Sequence, residues 1–177
     1  MYGFIFLLII GAIFLALHNA TTVLSRWQNT FSDFNFSSQE FYTKVQEVLT
    51  QAKIPDVDYS HITFSRGGMM SANQDYLRIK RNEFVFYICA SPFGTGFFVS
   101  TWLVERPGAL KTVLRRVRFI KDLIDIKTYY SVDTESMYKG SVQSAVRKVI
   151  EEITSGKGVR GLSELEWKPV DNPRLKW

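Results

Sequence analysis

The chain has 177 residues, a net charge of +5, and hydrophobic and aromatic contents of 46% and 15%. This length accommodates one domain with a sizeable core plus an attached segment. The single cysteine, Cys89, excludes an internal disulfide, so nothing in the sequence requires an oxidising compartment. The high aromatic content favours strands and apolar contact surfaces over a plain helical bundle.

The first 25 residues carry no charge, and those from Tyr2 to Leu17 are apolar. With its uncharged continuation, this segment is long enough to cross a bilayer as a helix, which needs roughly 20 residues. A cleaved signal peptide would carry a basic residue before the apolar stretch and small residues at a cleavage site, and neither is found. We therefore predict a single-span transmembrane anchor over residues 1–25 and a juxtamembrane linker over residues 26–36.

The distribution of basic residues predicts the side of the membrane on which the domain lies. Arg26, Lys44 and Lys53 follow the predicted anchor, and no Lys or Arg precedes it. Basic residues concentrate on the cytoplasmic side of a span. We therefore expect the domain on the cytoplasmic side.

The run from Phe84 to Val104 is also uncharged and is long enough to be a second span. Its centre reads PFGTG, which is the chemistry of a turn, and its flanks are rich in residues that favour strands. We predict a β-hairpin with strands near 83–91 and 96–105. A second transmembrane span remains the alternative.

The remaining segments predict an α+β domain over residues 37–170 and a flexible tail over 171–177. Ser37 and Glu40 form a capping box that opens a helix to about residue 52. Two alternating segments predict strands at 58–65 and 76–81, and TYYSV at 128–132 predicts a short fifth strand. Further helices are expected over 107–127 and 133–154. The expected fold is an antiparallel sheet of four or five strands packed by two or three helices.

The predicted hairpin is apolar on both faces, so both faces need a cover. A protein partner or a second copy of the chain would supply one. The side chains expected to contact it are apolar and lie in the hairpin or in the loop before it: Met69, Met70, Phe93, Phe97, Phe98 and Trp102.

Two basic segments suit an anionic lipid headgroup or phosphate. Within the amphipathic segment 107–127, five basic residues between positions 111 and 121 lie above an apolar stripe: Lys111, Arg115, Arg116, Arg118 and Lys121. The glycine-rich loop 156–161 contributes Lys157 and Arg160, although a helix C-terminus explains Gly156 without a ligand. We expect no nucleic-acid partner, because no groove-reading motif accompanies these charges.

No motif of an enzyme or a cofactor site is found. The two histidines, His18 and His61, have no second ligand at metal spacing, and no serine lies in a nucleophile-elbow motif. The leading hypothesis is a non-enzymatic membrane protein whose domain binds a protein partner or its own copies. The alternatives are a peripheral lipid-binding domain that uses segment 107–127, and an enzyme whose site is assembled from dispersed polar residues.

Overall fold

The six strands of the domain form one antiparallel sheet in the order β2-β3-β4-β5-β1-β6. A computed structural model describes residues 21–64, 73–106 and 129–176. Its elements, in chain order, are β1 (Thr22–Phe31), α1 (Ser38–Gln51), β2 (Asp58–Phe64), β3 (Gln74–Arg81), β4 (Phe84–Phe93), β5 (Gly96–Glu105), α2 (Tyr129–Thr154) and β6 (Val170–Lys176). The predicted α+β class is confirmed.

The uncharged run from Phe84 to Val104 is the central hairpin of this sheet. Strands β4 and β5 pair from Phe84 opposite Glu105 to Phe93 opposite Gly96. The turn between them contains Gly94, whose φ of 61° suits a residue without a Cβ. The predicted hairpin is therefore confirmed, and the alternative of a second span over this run is wrong.

Strand β1 differs from the sequence prediction. Its composition assigns residues 22–25 to the end of the anchor and residues 26–31 to a linker, yet these residues pair with β5 on both sides of a register shift between Val23 and Ser25. Trp27 and Phe31 are buried, whereas Arg26, Gln28 and Thr30 are exposed. Alternate burial of this kind is typical of a half-buried strand. The alternation of apolar and polar residues therefore predicts β1 better than the lack of charge in this segment does.

Two predictions near the C-terminus also differ from the structure. The predicted fifth strand at 128–132 is wrong, because Tyr129 begins the 26-residue helix α2. The preference of Tyr and Val for strands depends on packing against a neighbouring strand, and here these residues lie in the helix instead. Residues 171–176 of the predicted flexible tail lie within β6, which pairs with β1 from Arg26 opposite Val170 to Thr22 opposite Lys176.

Several predictions fall outside the described residues. These are most of the anchor (residues 1–20), the pair Met69–Met70, and the basic segment 107–127. Of the helices that the structure does describe, neither combines the length and the apolarity that a bilayer crossing requires.

The main core lies between the sheet and the two helices. Helix α1 begins after Ser37, whose Oγ accepts the backbone N–H of Glu40 at 3.3 Å, as the capping box predicts. The helices bury apolar stripes against one face of the sheet, which we call the helix face. Its buried side chains include Leu77, Ile79, Phe86, Ile88, Val99 and Leu103.

The other face of the sheet, which we call the opposite face, carries a smaller apolar cluster. Val23, Val85, Tyr87 and Val104 are buried there, and Ile62, Tyr76 and Trp102 pack beside them partly buried. The prediction that the hairpin is apolar on both faces is therefore confirmed.

The segment after α2 is held against β1 and α2 by aromatic contacts. The Trp27 and Trp167 rings stack with their centroids 5.0 Å apart, and Trp27 Nε1 donates to the Glu166 carbonyl at 2.6 Å. The guanidinium of Arg147 lies 5.3 Å from the Trp167 ring centroid and pairs with Glu164 at 2.7 Å. These contacts fix the path of the chain into β6.

The two ends of the sheet differ in the parts of the chain that lie there. At one end Thr22 begins β1 opposite Glu105, so the chain enters the sheet there, and we call this the entry end. At the other, the hairpin end, Phe31 lies opposite Phe97 and Phe64 lies opposite Gln74. The nine residue steps of β1 separate the two ends by about 30 Å.

Candidate functional site

Three phenylalanines at the hairpin end form the candidate site. Phe93 is 78% exposed and Phe64 is 50% exposed, while Phe98 is half-buried. By strand alternation all three side chains lie on the opposite face. We call Phe64, Phe93 and Phe98 the hairpin-end aromatic surface.

Neighbouring rings hold Phe64 in place. Its ring makes edge-to-face contacts with Tyr76 and Tyr87, at centroid distances of 5.2 and 6.0 Å. Such contacts stabilise a defined ring orientation. The exposed half of the Phe64 ring is therefore presented on a fixed support.

The turn of the hairpin positions Phe93 and Phe98. Gly96 lies so close to β1 that a Cβ built on it would meet the Phe31 carbonyl oxygen at 2.8 Å. Glycine at this position lets β1 pair up to the tip of β5. The last turn of the hairpin is thus braced by a third strand, and the rings beside it do not depend on an isolated loop.

Of the six predicted contact residues, Phe97 is a core residue. It is 0% exposed, and its ring packs edge-on against Phe34, Phe36 and Phe41 on the helix face. Because α1 and the residues before it cover this side chain, Phe97 is unavailable to a partner. Phe93 and Phe98 lie together at the hairpin end.

Trp102 lies further toward the entry end on the opposite face. It is half-buried, and the Arg26 guanidinium lies 6.0 Å from its ring centroid. Trp102 is therefore engaged within the domain and borders the aromatic surface without forming its exposed part.

The two described basic residues of the glycine-rich loop contact groups of the chain itself. Lys157 Nζ lies 5.4 Å from the ring centroids of both Phe34 and Phe36. Arg160 pairs with Glu166. Hydrogen bonds from the Ser163 backbone and hydroxyl, followed by the one from Arg160, lower the pKa of Glu166 to about 2. A phosphate at this loop would compete with these contacts.

Two features bear on catalysis or metal binding in the described residues: the Cys89 thiol and the spacing of possible metal ligands. Burial raises the pKa of the Cys89 thiol to about 11, so the thiol stays protonated at neutral pH. Within the ranges that the structure describes, no three His, Cys, Asp or Glu side chains are grouped as a metal site requires.

Phe64 was not among the contact residues predicted from the sequence. The signal was present, because Phe64 ends an alternating strand just before a glycine-containing segment. Its partner rings Tyr76 and Tyr87 come from β3 and β4, so their contact with Phe64 depends on strand register.

No protein-family model matches the chain, and no curated protein matches its sequence. The aromatic surface and its place in the fold therefore carry the functional argument.

Proposed function

We propose that the chain is a non-enzymatic, single-span membrane protein whose α+β domain binds a protein partner. The observation that carries this proposal is the grouping of Phe64, Phe93 and Phe98 at one end of one sheet face. Single exposed apolar residues are common, whereas grouped exposed aromatics mark interaction sites. The basic residues after the predicted anchor place the domain on the cytoplasmic side in this proposal.

The position of the aromatic surface favours a protein over a lipid as its partner. If residues 1–20 span the membrane, Thr22 at the entry end lies next to the bilayer. The hairpin end is then about 30 Å away along β1. Rings at that distance face the aqueous phase, where a protein partner is the occupant able to bury them.

The chemistry of the rings suits a binding hot spot. Aromatic residues are enriched at the cores of interfaces and supply much of their binding energy. Fully burying one Phe side chain contributes roughly 1.5–3 kcal/mol. Replacing one of these rings with a charged side chain should therefore abolish binding.

The first test compares full-length tagged protein with Phe98→Asp after purification in mild detergent. We expect a protein to co-purify with the wild type in stoichiometric amount and to be identified by mass spectrometry. We expect Phe98→Asp to lose this protein, because the new carboxylate would be buried unpaired at the interface. The matched control is Gln51→Asp, which adds the same charge at the exposed end of α1. It should retain the partner.

Sizing and circular dichroism show whether Phe98→Asp remains folded. A folded Phe98→Asp variant that keeps the partner would contradict the proposal. An aggregated variant would show that Phe98 belongs to the core, and the proposal would lose its main support. A partner of the same mass as the chain would indicate self-association.

A second candidate function is binding to anionic lipid through segment 107–127. The observation that favours it is the register at the entry end, where Thr22 lies opposite Glu105. The residues that follow the predicted anchor and those that precede the basic segment are thus neighbours in the sheet. A membrane next to Thr22 is therefore within reach of the basic residues, each contributing about 1 kcal/mol near an anionic surface.

Liposome flotation tests this second candidate. Because β1 begins at Thr22, the chain used should start at residue 21, so that the strand is kept. We expect it to float with vesicles that contain anionic lipid and to be released by salt. Equal flotation with neutral vesicles, or none with either, would contradict lipid binding by charge.

A further inference from the structure

The two edges of the sheet are protected to different degrees. Strand β6 has Pro173 and the charged residues Asp171, Arg174 and Lys176 among its seven residues. Proline and charges are the features by which natural edge strands avoid pairing with other chains. Strand β2, also seven residues long, has no proline, and its only Lys, Arg, Asp or Glu is Asp58 at its first position.

The outer side of β2 carries backbone groups that pair with no other described strand. Alternate N–H and C=O groups of an edge strand point away from its neighbour. In the part of the chain that the structure describes, β2 pairs with β3 alone, and no other backbone hydrogen bond reaches residues 58–64. The edge thus presents a strand-length row of donors and acceptors.

Strand β2 also brings two apolar side chains to this edge, and one of them, Phe64, belongs to the candidate site. Ile62 and Phe64 lie on the opposite face. Ile62 is partly buried beside the cluster that contains Val85 and Tyr87, and Phe64 is half exposed. A strand added to this edge would place every second side chain next to these two. Apolar residues at alternate positions of the added strand would therefore be favoured.

We propose that the protein partner supplies an extended segment that pairs with β2 and lays apolar side chains beside Ile62 and Phe64. Backbone hydrogen bonds provide affinity in this mode of recognition, and alternate side chains provide specificity. This inference rests on the proposed function and names the form in which the partner binds.

The direction of β2 argues against a second copy as the occupant. Two copies of one edge pair symmetrically only when the strands are antiparallel. Antiparallel pairing would reverse one domain and direct its Thr22 away from that of the other copy. If residues 1–20 span the membrane and the strands stand along its normal, as in the proposed function, two anchors could not then lie in the same membrane. On that proposal the added strand belongs to a different protein.

The test uses the full chain in lipid nanodiscs and short random peptides displayed on phage. We expect the selected peptides to carry apolar residues at alternate positions. The tightest one is then synthesised in two forms, N-methylated at the odd or at the even residues. One form should bind at least about 10-fold more weakly than the unmodified peptide, because the N–H groups that face β2 can no longer donate to it. The other form should bind nearly as tightly as the unmodified peptide.

A substitution at the edge gives the second readout. Thr63 is exposed, and its hydroxyl donates to Asp75 at 2.6 Å, so Thr63→Lys keeps a donor for that carboxylate. We expect Thr63→Lys to weaken peptide binding about 10-fold, because a lysine on an edge strand disfavours pairing with an added strand, while Gln51→Lys leaves binding unchanged. Circular dichroism confirms that both variants are folded.

Three outcomes would overturn this inference. In the first, a peptide binds equally well in both N-methylated forms and binds Thr63→Lys as well as the wild type, but does not bind Phe98→Asp. This result would contradict strand addition and would leave the aromatic surface as the binding site. A dimer of the chain that Thr63→Lys converts to a monomer would assign the edge to a second copy. Failure to select any peptide would also overturn it, with the proposed function still decided by the purification experiment.

Discussion

The hydroxyl of Tyr42 links the first helix to the middle of the sheet. It lies 2.8 Å from the Asp75 carbonyl and 3.2 Å from the Ala90 carbonyl, and it accepts the Ala90 N–H at 2.9 Å. Burial raises the pKa of Tyr42, so the group stays neutral and can donate. Without this oxygen, the buried N–H of Ala90 would lose its hydrogen-bond acceptor.

We therefore expect Tyr42→Phe to lower the free energy of unfolding by about 1–3 kcal/mol, the cost of a buried polar group left without its partner. The measurement is urea denaturation in detergent, followed by tryptophan fluorescence. Tyr129→Phe is the control, because Tyr129 is 92% exposed and its change should cost less than about 0.5 kcal/mol. Equal effects of the two substitutions would show that the hydroxyl of Tyr42 is dispensable.

Local signals in the sequence predicted much at the scale of single residues. The predicted cap at Ser37 forms on the backbone N–H of Glu40, since it needs only residues three apart. Alternation along β5 also predicted that Phe97 and Phe98 face opposite sides. It could not show which of them is buried, because the helices that cover the sheet come from distant parts of the chain.

At the scale of elements, the sequence predicted strands whose partners are close in the chain and missed those whose partners are far away. The β3-β4-β5 meander follows from turns at Asn82 and Gly94, both with positive φ. Strand β1 instead pairs with β5, more than sixty residues later, and with β6 near the C-terminus. No turn signal connects such strands, so composition alone assigned β1 to an anchor and a linker.

At the scale of the whole molecule, the sheet separates two ends with different chemistry. Thr22 and Glu105 meet at the entry end, where the predicted anchor and the basic segment join the domain. Phe64, Phe93 and Phe98 lie at the hairpin end. In our proposal the first end faces the membrane and the second faces the partner.

The most direct measurement is photo-cross-linking in intact membranes from benzoylphenylalanine at position 93. Phe93 is the most exposed ring of the hairpin-end aromatic surface, and the substitution keeps an aromatic side chain there. We predict a covalent adduct of discrete mass with a protein, and no such adduct from position 51 on α1. Adducts with lipid alone from position 93 would place the hairpin end at the bilayer and contradict the proposed function.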